Sequence, residues 1–148
     1  MSRAFDRRVV LRAGLAACAT LALPPARACE FFVSTLRITH PWTRATEPGA
    51  DTAVLCMTFD QVTQTDRLIE VRTPIARGVE LVADGRARPL DLLIPVGSEM
   101  FLDESGTHLR LVGLDLQLQT GRTYPLTLVF EQGGQVRSDL SVDYDRFN

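Results

Sequence analysis

From residue 33 onward the chain alternates apolar and polar side chains with period two, and few stretches offer the i, i+3, i+4 recurrence of an amphipathic helix. The stretch "HLRLV" at 108–112 shows the rule: His108 and Arg110 fall on one face of an extended segment, Leu109 and Leu111 on the other. The same reading predicts strands at 33–39, 52–59, 67–72, 79–82, 90–94, 99–102, 108–112, 124–131 and 135–142. Turn residues separate them at Glu47-Pro48-Gly49, Asp84-Gly85, Pro95-Val96-Gly97, Glu104-Ser105-Gly106 and Gly121. Gly133-Gly134 joins "YPLTLVFE" to "QVRSDLSV" as a tight hairpin. Many short strands with no intervening helix predict an all-β fold, a single-domain β-sandwich of immunoglobulin or cupredoxin type. No repeat or linker interrupts the pattern.

Residues 1–28 do not follow this pattern. Arg7 and Arg8 precede an apolar run from Ala13 to Leu23, and Ala26-Arg27-Ala28 forms a small-x-small cleavage signal. The segment reads as an export peptide, with "DRRVVLR" resembling a twin-arginine signal and the general secretory route as the alternative. The run is too short for a membrane span, and Pro24-Pro25 would break a helix there. A periplasmic location follows. Cleavage after Ala28 places Cys29 at the new terminus, where a lipid anchor is conceivable; lipid-modified signals usually carry Leu three positions before the cysteine, and here that residue is Ala26.

Without residues 1–28, eleven basic side chains face seventeen acidic ones, a net charge of −6. An acidic domain lacks the basic footprint that nucleic acid or anionic lipid requires. All sixteen basic residues of the chain are arginine, which excludes a Walker-type lysine and Schiff-base chemistry. Two cysteines lie beyond the export segment. Cys29 and Cys56 either pair in an oxidising compartment or leave Cys56 as a small buried hydrophobe.

A catalytic constellation is hard to assemble. A hydrolase triad would have to use one of only two histidines, His40 and His108, and no nucleophile turn of the G-x-S-x-G kind is present. In "THPWTR", Pro41 fixes extended backbone, Trp42 is expected to plug the sandwich, and His40 is expected to sit partly exposed beside it. Asp103 and Glu104 read as a solvated turn. The protein is therefore expected not to be an enzyme.

The order of motifs is more specific than any single residue. Pro41-Trp42-Thr43-Arg44-Ala45-Thr46, Val79-Glu80-Leu81, Ile94-Pro95-Val96-Gly97 and Gly106-Thr107-His108-Leu109-Arg110-Leu111-Val112-Gly113-Leu114 stand in sequence along the chain. This arrangement resembles the PCu(A)C family of periplasmic copper chaperones over nearly the whole of residues 29–148. The resemblance implies a cupredoxin-like sandwich that carries Cu(I) toward the copper centre of a terminal oxidase. It also implies a ligand set of two histidines and two methionines, since soft thioethers suit Cu(I) and imidazoles add affinity. Three of those four positions depart from the pattern. Val82 stands where the first histidine would follow Val79-Glu80-Leu81, the shortened loop "ADGRARPLDLL" has no methionine, and Arg110 replaces the second methionine. His108 alone matches.

The residues themselves leave several arrangements open. If 103–107 closes a hairpin with Leu102 facing His108, the Met100 thioether projects beside the imidazole, and a Met100/His108 pair can hold Cu(I) weakly. Cys56, Met57 and Cys29 are further soft donors, although "AVLCMTF" reads as core. Alternatively, His108 and Arg110 form a polar patch paired with Asp103, Glu104 or another acid. The expected function is Cu(I) delivery to an oxidase subunit or a Sco-type assembly protein. The alternative is a metal-free module that binds an assembly partner through the same face.

Overall fold

A computed structural model describes residues 29–145; the expected export segment 1–28 and residues 146–148 lie outside the described residues. Eleven strands follow one another: β1 (Glu30–Phe32), β2 (Arg37–Arg44), β3 (Thr52–Asp60), β4 (Asp66–Arg72), β5 (Ala76–Ala83), β6 (Arg86–Pro89), β7 (Leu92–Ile94), β8 (Met100–Leu102), β9 (His108–Leu114), β10 (Thr123–Phe130) and β11 (Gly134–Tyr144). Every regular element among the described residues is a strand, as the period-two pattern requires. Two of the strands were not legible in the sequence. β1 is only three residues long, and β6, "RARP", is exposed along its whole length and so carries no alternation.

The strands form one continuous, curled path in the order β6-β5-β9-β3-β2-β11-β10-β4-β7, with β1 added to β2 and β8 to β3. β3 is the corner: its first half, Thr52 to Leu55, pairs with β9, and its second half, Met57 to Phe59, pairs with β8. All pairings are antiparallel except β11 with β2. The two layers close over a core in which Phe59 and Phe130 meet edge to face at 6.0 Å between ring centroids. Alternation decides what is inside: Leu126, Leu128 and Phe130 of β10 and Ser138, Leu140 and Val142 of β11 point inward, with their neighbours outward.

Asp66 fixes the end of the β10–β11 hairpin. Its carboxylate, 2% exposed, accepts from the Thr35 hydroxyl at 2.7 Å and from the amides of Arg67, Gln132 and Gly133 at 2.7, 2.8 and 2.8 Å. Burial alone would raise its pKa, but these four donors outweigh it and hold the group below the usual carboxylate range.

The "THPW" segment differs from expectation. His40 and Pro41 lie inside β2 as two residues opposite the single Met57, a bulge in which His40 adopts φ 49°. Pro41 is tolerated there because a bulge asks for no ladder hydrogen bond. The bulge turns Trp42 outward. Trp42 does not plug the sandwich; it meets Tyr144 edge-on at 4.7 Å, while Arg44 lies 5.2 Å from the Tyr144 ring centroid. His40 is exposed, as expected, and its Nε2 contacts the Asp143 carboxylate.

Candidate metal centre

His108 opens β9, and the alternation of that strand is the one read from the sequence. Leu109 and Leu111 are fully buried, while His108, Arg110 and Val112 face outward. β9 is flanked by β5 and β3, which sets the neighbours of each outward residue. Val82 of β5 lies directly opposite His108, and Glu80 opposite Arg110. On the other side Val54 of β3 is opposite Arg110.

The electrostatics of this face are settled by two contacts. Arg110 donates to Glu80 Oε2 from Nη2 at 2.6 Å and from Nε at 3.2 Å, so the acid partner of Arg110 is Glu80 and neither Asp103 nor Glu104. Glu104 instead accepts from Arg44 Nε at 2.6 Å. The His108 ring faces the Gly106 carbonyl, with Nδ1 3.0 Å from that oxygen. A carbonyl can only accept, so Nδ1 carries the proton and Nε2 of the neutral ring keeps its lone pair. Beside Arg110 the same face continues into a groove of about 330 Å³ lined by Arg44, Thr52 and Val54 among others.

The turn before His108 organises itself. Asp103 Oδ1 accepts from the Ser105 hydroxyl at 2.7 Å, the Ser105 amide at 2.8 Å and the Gly106 amide at 3.0 Å. The Ser105 contacts, chiefly, hold the Asp103 carboxyl below its ordinary value. Asp103 is therefore occupied as a turn former, consistent with its reading as part of a turn.

The arrangement expected to bring Met100 to His108 is not formed. β8 and β9 both pair antiparallel with the same edge of β3, so they run in one direction, end to end, and residues 103–107 bulge out between them instead of closing a hairpin. Met100 is opposite Phe59, whereas His108 starts beside Leu55 and Cys56, about 10 Å further along β3. Their faces also differ. Met100 shares the inward face of Leu102 and packs against the core, while His108 points out. Met57 is likewise inside, 2% exposed.

Cys29 and Cys56 are both free, the first exposed and the second buried. β1 and β3 pair with opposite edges of β2, and the Cys29 carbonyl accepts from the His40 amide. Two inter-strand spacings, about 10 Å, separate these edges, beyond the reach of a disulfide. Burial, with the Glu104 and Asp103 carboxylates adding to it, pushes the Cys56 thiol up to about 12. No cluster of three or more His, Cys, Asp or Glu side chains able to hold a metal occurs among the described residues. Glu80 and Cys56 are the neighbours the sequence did not assign to this face, because strand register, not spacing, places them there.

This two-layer, all-β scaffold, with His108 on the outward face of an inner strand, is a cupredoxin-like β-sandwich. The chain belongs to the LpqE-like lipoprotein family, of PCuAC type: it matches that family over residues 36–142. The copper-bound PCuAC domain of PmoF2 is 30% identical, superimposes with a TM-score of 0.71, and is aligned over 78% of this chain and 97% of that one. The apo PCuAC domain of PmoF1 is 26% identical with a TM-score of 0.71, over 78% and 98% of the two chains. The Cu(I) form of DR1885 from Deinococcus radiodurans shares the fold, at 24% identity and a TM-score of 0.63 over 80% and 83%. No curated protein matches the sequence. No helix among the described residues is long and apolar enough to cross a membrane.

Proposed function

We propose that this protein is an exported copper handler of PCuAC type, which holds Cu(I) at His108 with fewer donors than its relatives and releases it by ligand exchange. The observation that carries this reading is the His108 ring: Nδ1 is fixed on the Gly106 carbonyl, leaving Nε2 as a donor. It stands on a scaffold shared with the copper-bound PmoF2 domain. Two of the three positions matching the family's other ligands, Val82 and Arg110, lie opposite and two residues from His108 on the same face. A thinned ligand set favours release, so delivery would run to a better-equipped acceptor, such as an oxidase subunit or a thiol-bearing Sco-type protein in the periplasm. The family's description as lipoproteins accords with export.

Titration with Cu(I) against a chromophoric chelator tests the reading. Stoichiometric binding that His108→Ala abolishes or weakens supports it, and no competition by the unaltered protein overturns it. A second reading, a metal-free assembly module, is favoured by the Arg110–Glu80 pair, which occupies this face with matched charges where a cation would otherwise sit. It is the reading that remains if copper does not bind and an assembly protein is retained on the immobilised domain.

A further inference from the structure

We infer that Cys56 is the second donor of the copper site, so that Cu(I) is held between the Cys56 sulfur and the His108 imidazole. The inference rests on the copper-handling reading above and names the ligand that reading lacks.

Its first support is a break in the alternation of β3. Leu55, Cys56 and Met57 are all buried, at 0%, 0% and 2% exposure. Leu55 and Met57 face the core, so Cys56 must point to the outer face, with Val54. It is buried there by something other than the core. The strand registers identify the cover. The β9 register pairs Leu55 with Leu109, and one further step sets Cys56 across from His108. The β8 register pairs Met57 with Leu102, and one further step sets Cys56 across from Asp103. Cys56 therefore sits at the mouth of the 103–107 bulge, where both ends of the bulge meet β3. On its other side Trp42 is its partner in β2, and Val82 is the partner of His108 in β5. Val82, His108, Cys56 and Trp42 form one row across four strands of the same face.

Its second support is that the thiol is unoccupied. Among the described residues it forms neither a disulfide nor a hydrogen bond. A buried, unpartnered sulfur next to an imidazole with an available nitrogen is a soft pair suited to two-coordinate Cu(I). The bulge that covers it is tied down by the Arg44–Glu104 ion pair, so entry of the ion requires this turn to lift.

The binding step balances without redox change. Cu(I) arrives bound to a carrier, a sulfur–copper and a nitrogen–copper bond form, the carrier's ligands leave, and the thiol proton passes to solvent. Copper stays Cu(I) throughout.

The test uses the Cys18→Ser/Cys29→Ser protein, in which Cys56 is the one thiol left of three. Cu(I) is added anaerobically against the chromophoric chelator while the near-ultraviolet copper–thiolate charge-transfer band is followed. The expected result is one equivalent bound with that band present; thioethers and imidazoles do not produce it. Cys56→Ala on this background should abolish the band and weaken binding by about tenfold or more, and His108→Ala should weaken binding while the band persists. Copper bound by the single-thiol protein without the band overturns the assignment of Cys56 and leaves copper handling at His108 standing. That outcome is read without any variant at position 56, so a folding defect there does not obscure it. Failure of the single-thiol protein to bind copper at all overturns this inference together with the reading it rests on.

Discussion

Arg110 places a positive charge two residues from His108 on the same face, about 7 Å along the strand. For a cation held at His108, 332/εr at that distance is about 0.6 kcal/mol in a water-like dielectric and about 2.4 kcal/mol at an effective ε of ~20. Arg110 is 38% exposed, which places the true figure toward the lower end. Arg110→Gln removes this charge and leaves the Glu80 carboxylate facing the site, so Cu(I) affinity should rise about threefold and by no more than about fiftyfold. The gain should shrink at high ionic strength, because an exposed charge is screened within a Debye length of about 10 Å at 0.1 M salt. Arg110→Met does the same and adds a thioether, so its affinity should exceed that of the glutamine variant by an increment that salt does not remove. Chelator competition at two salt concentrations measures both. If neither variant binds Cu(I) more tightly than the parent, copper is not held on this face, and the argument from His108 fails.

Four further outcomes concern the scaffold and its thiols. Asp66→Ala strands a buried hydroxyl and three amides, which should cost about 3–5 kcal/mol and lower Tm by about 12–20 °C at some 4 °C per kcal/mol. Because the folded-state pKa of Asp66 is depressed, its contribution is complete above the unfolded value of about 3.9 and is lost as pH falls through the folded value; acid titrations of the parent and Asp66→Asn should diverge above that range and converge below it. Gly133→Ala would set a Cβ 2.5 Å from Thr35 Oγ1 and 2.8 Å from Val33 Cγ2, and thermal melts should show a loss of about 1–3 kcal/mol. A thiol reagent at neutral pH should label Cys29 promptly in the native protein and Cys56 far more slowly, at the rate at which the 103–107 turn lifts, since Cys56 is buried and protonated; labelling of Cys56 as prompt as that of Cys29 would contradict its place beneath the turn.

The sequence by itself determined the class of the fold. Period-two alternation dictated which side of β9, β10 and β11 faces the core, because successive side chains of an extended chain must point to opposite faces. Motif order fixed the family. The exposed edge strand β6 escaped notice because it buries nothing and so leaves no apolar signature. Only the tertiary structure decided who stands beside His108. A cross-strand neighbour depends on register and on strand order, which are set by distant parts of the chain. The sequence pattern around 103–107 is that of a hairpin turn, yet β3 is long enough to pair with both flanking strands on one edge and converts the turn into a bulge. That single difference sends Met100 into the core and brings Cys56 to the mouth of the bulge, while the β5–β9 register sets Glu80 against Arg110.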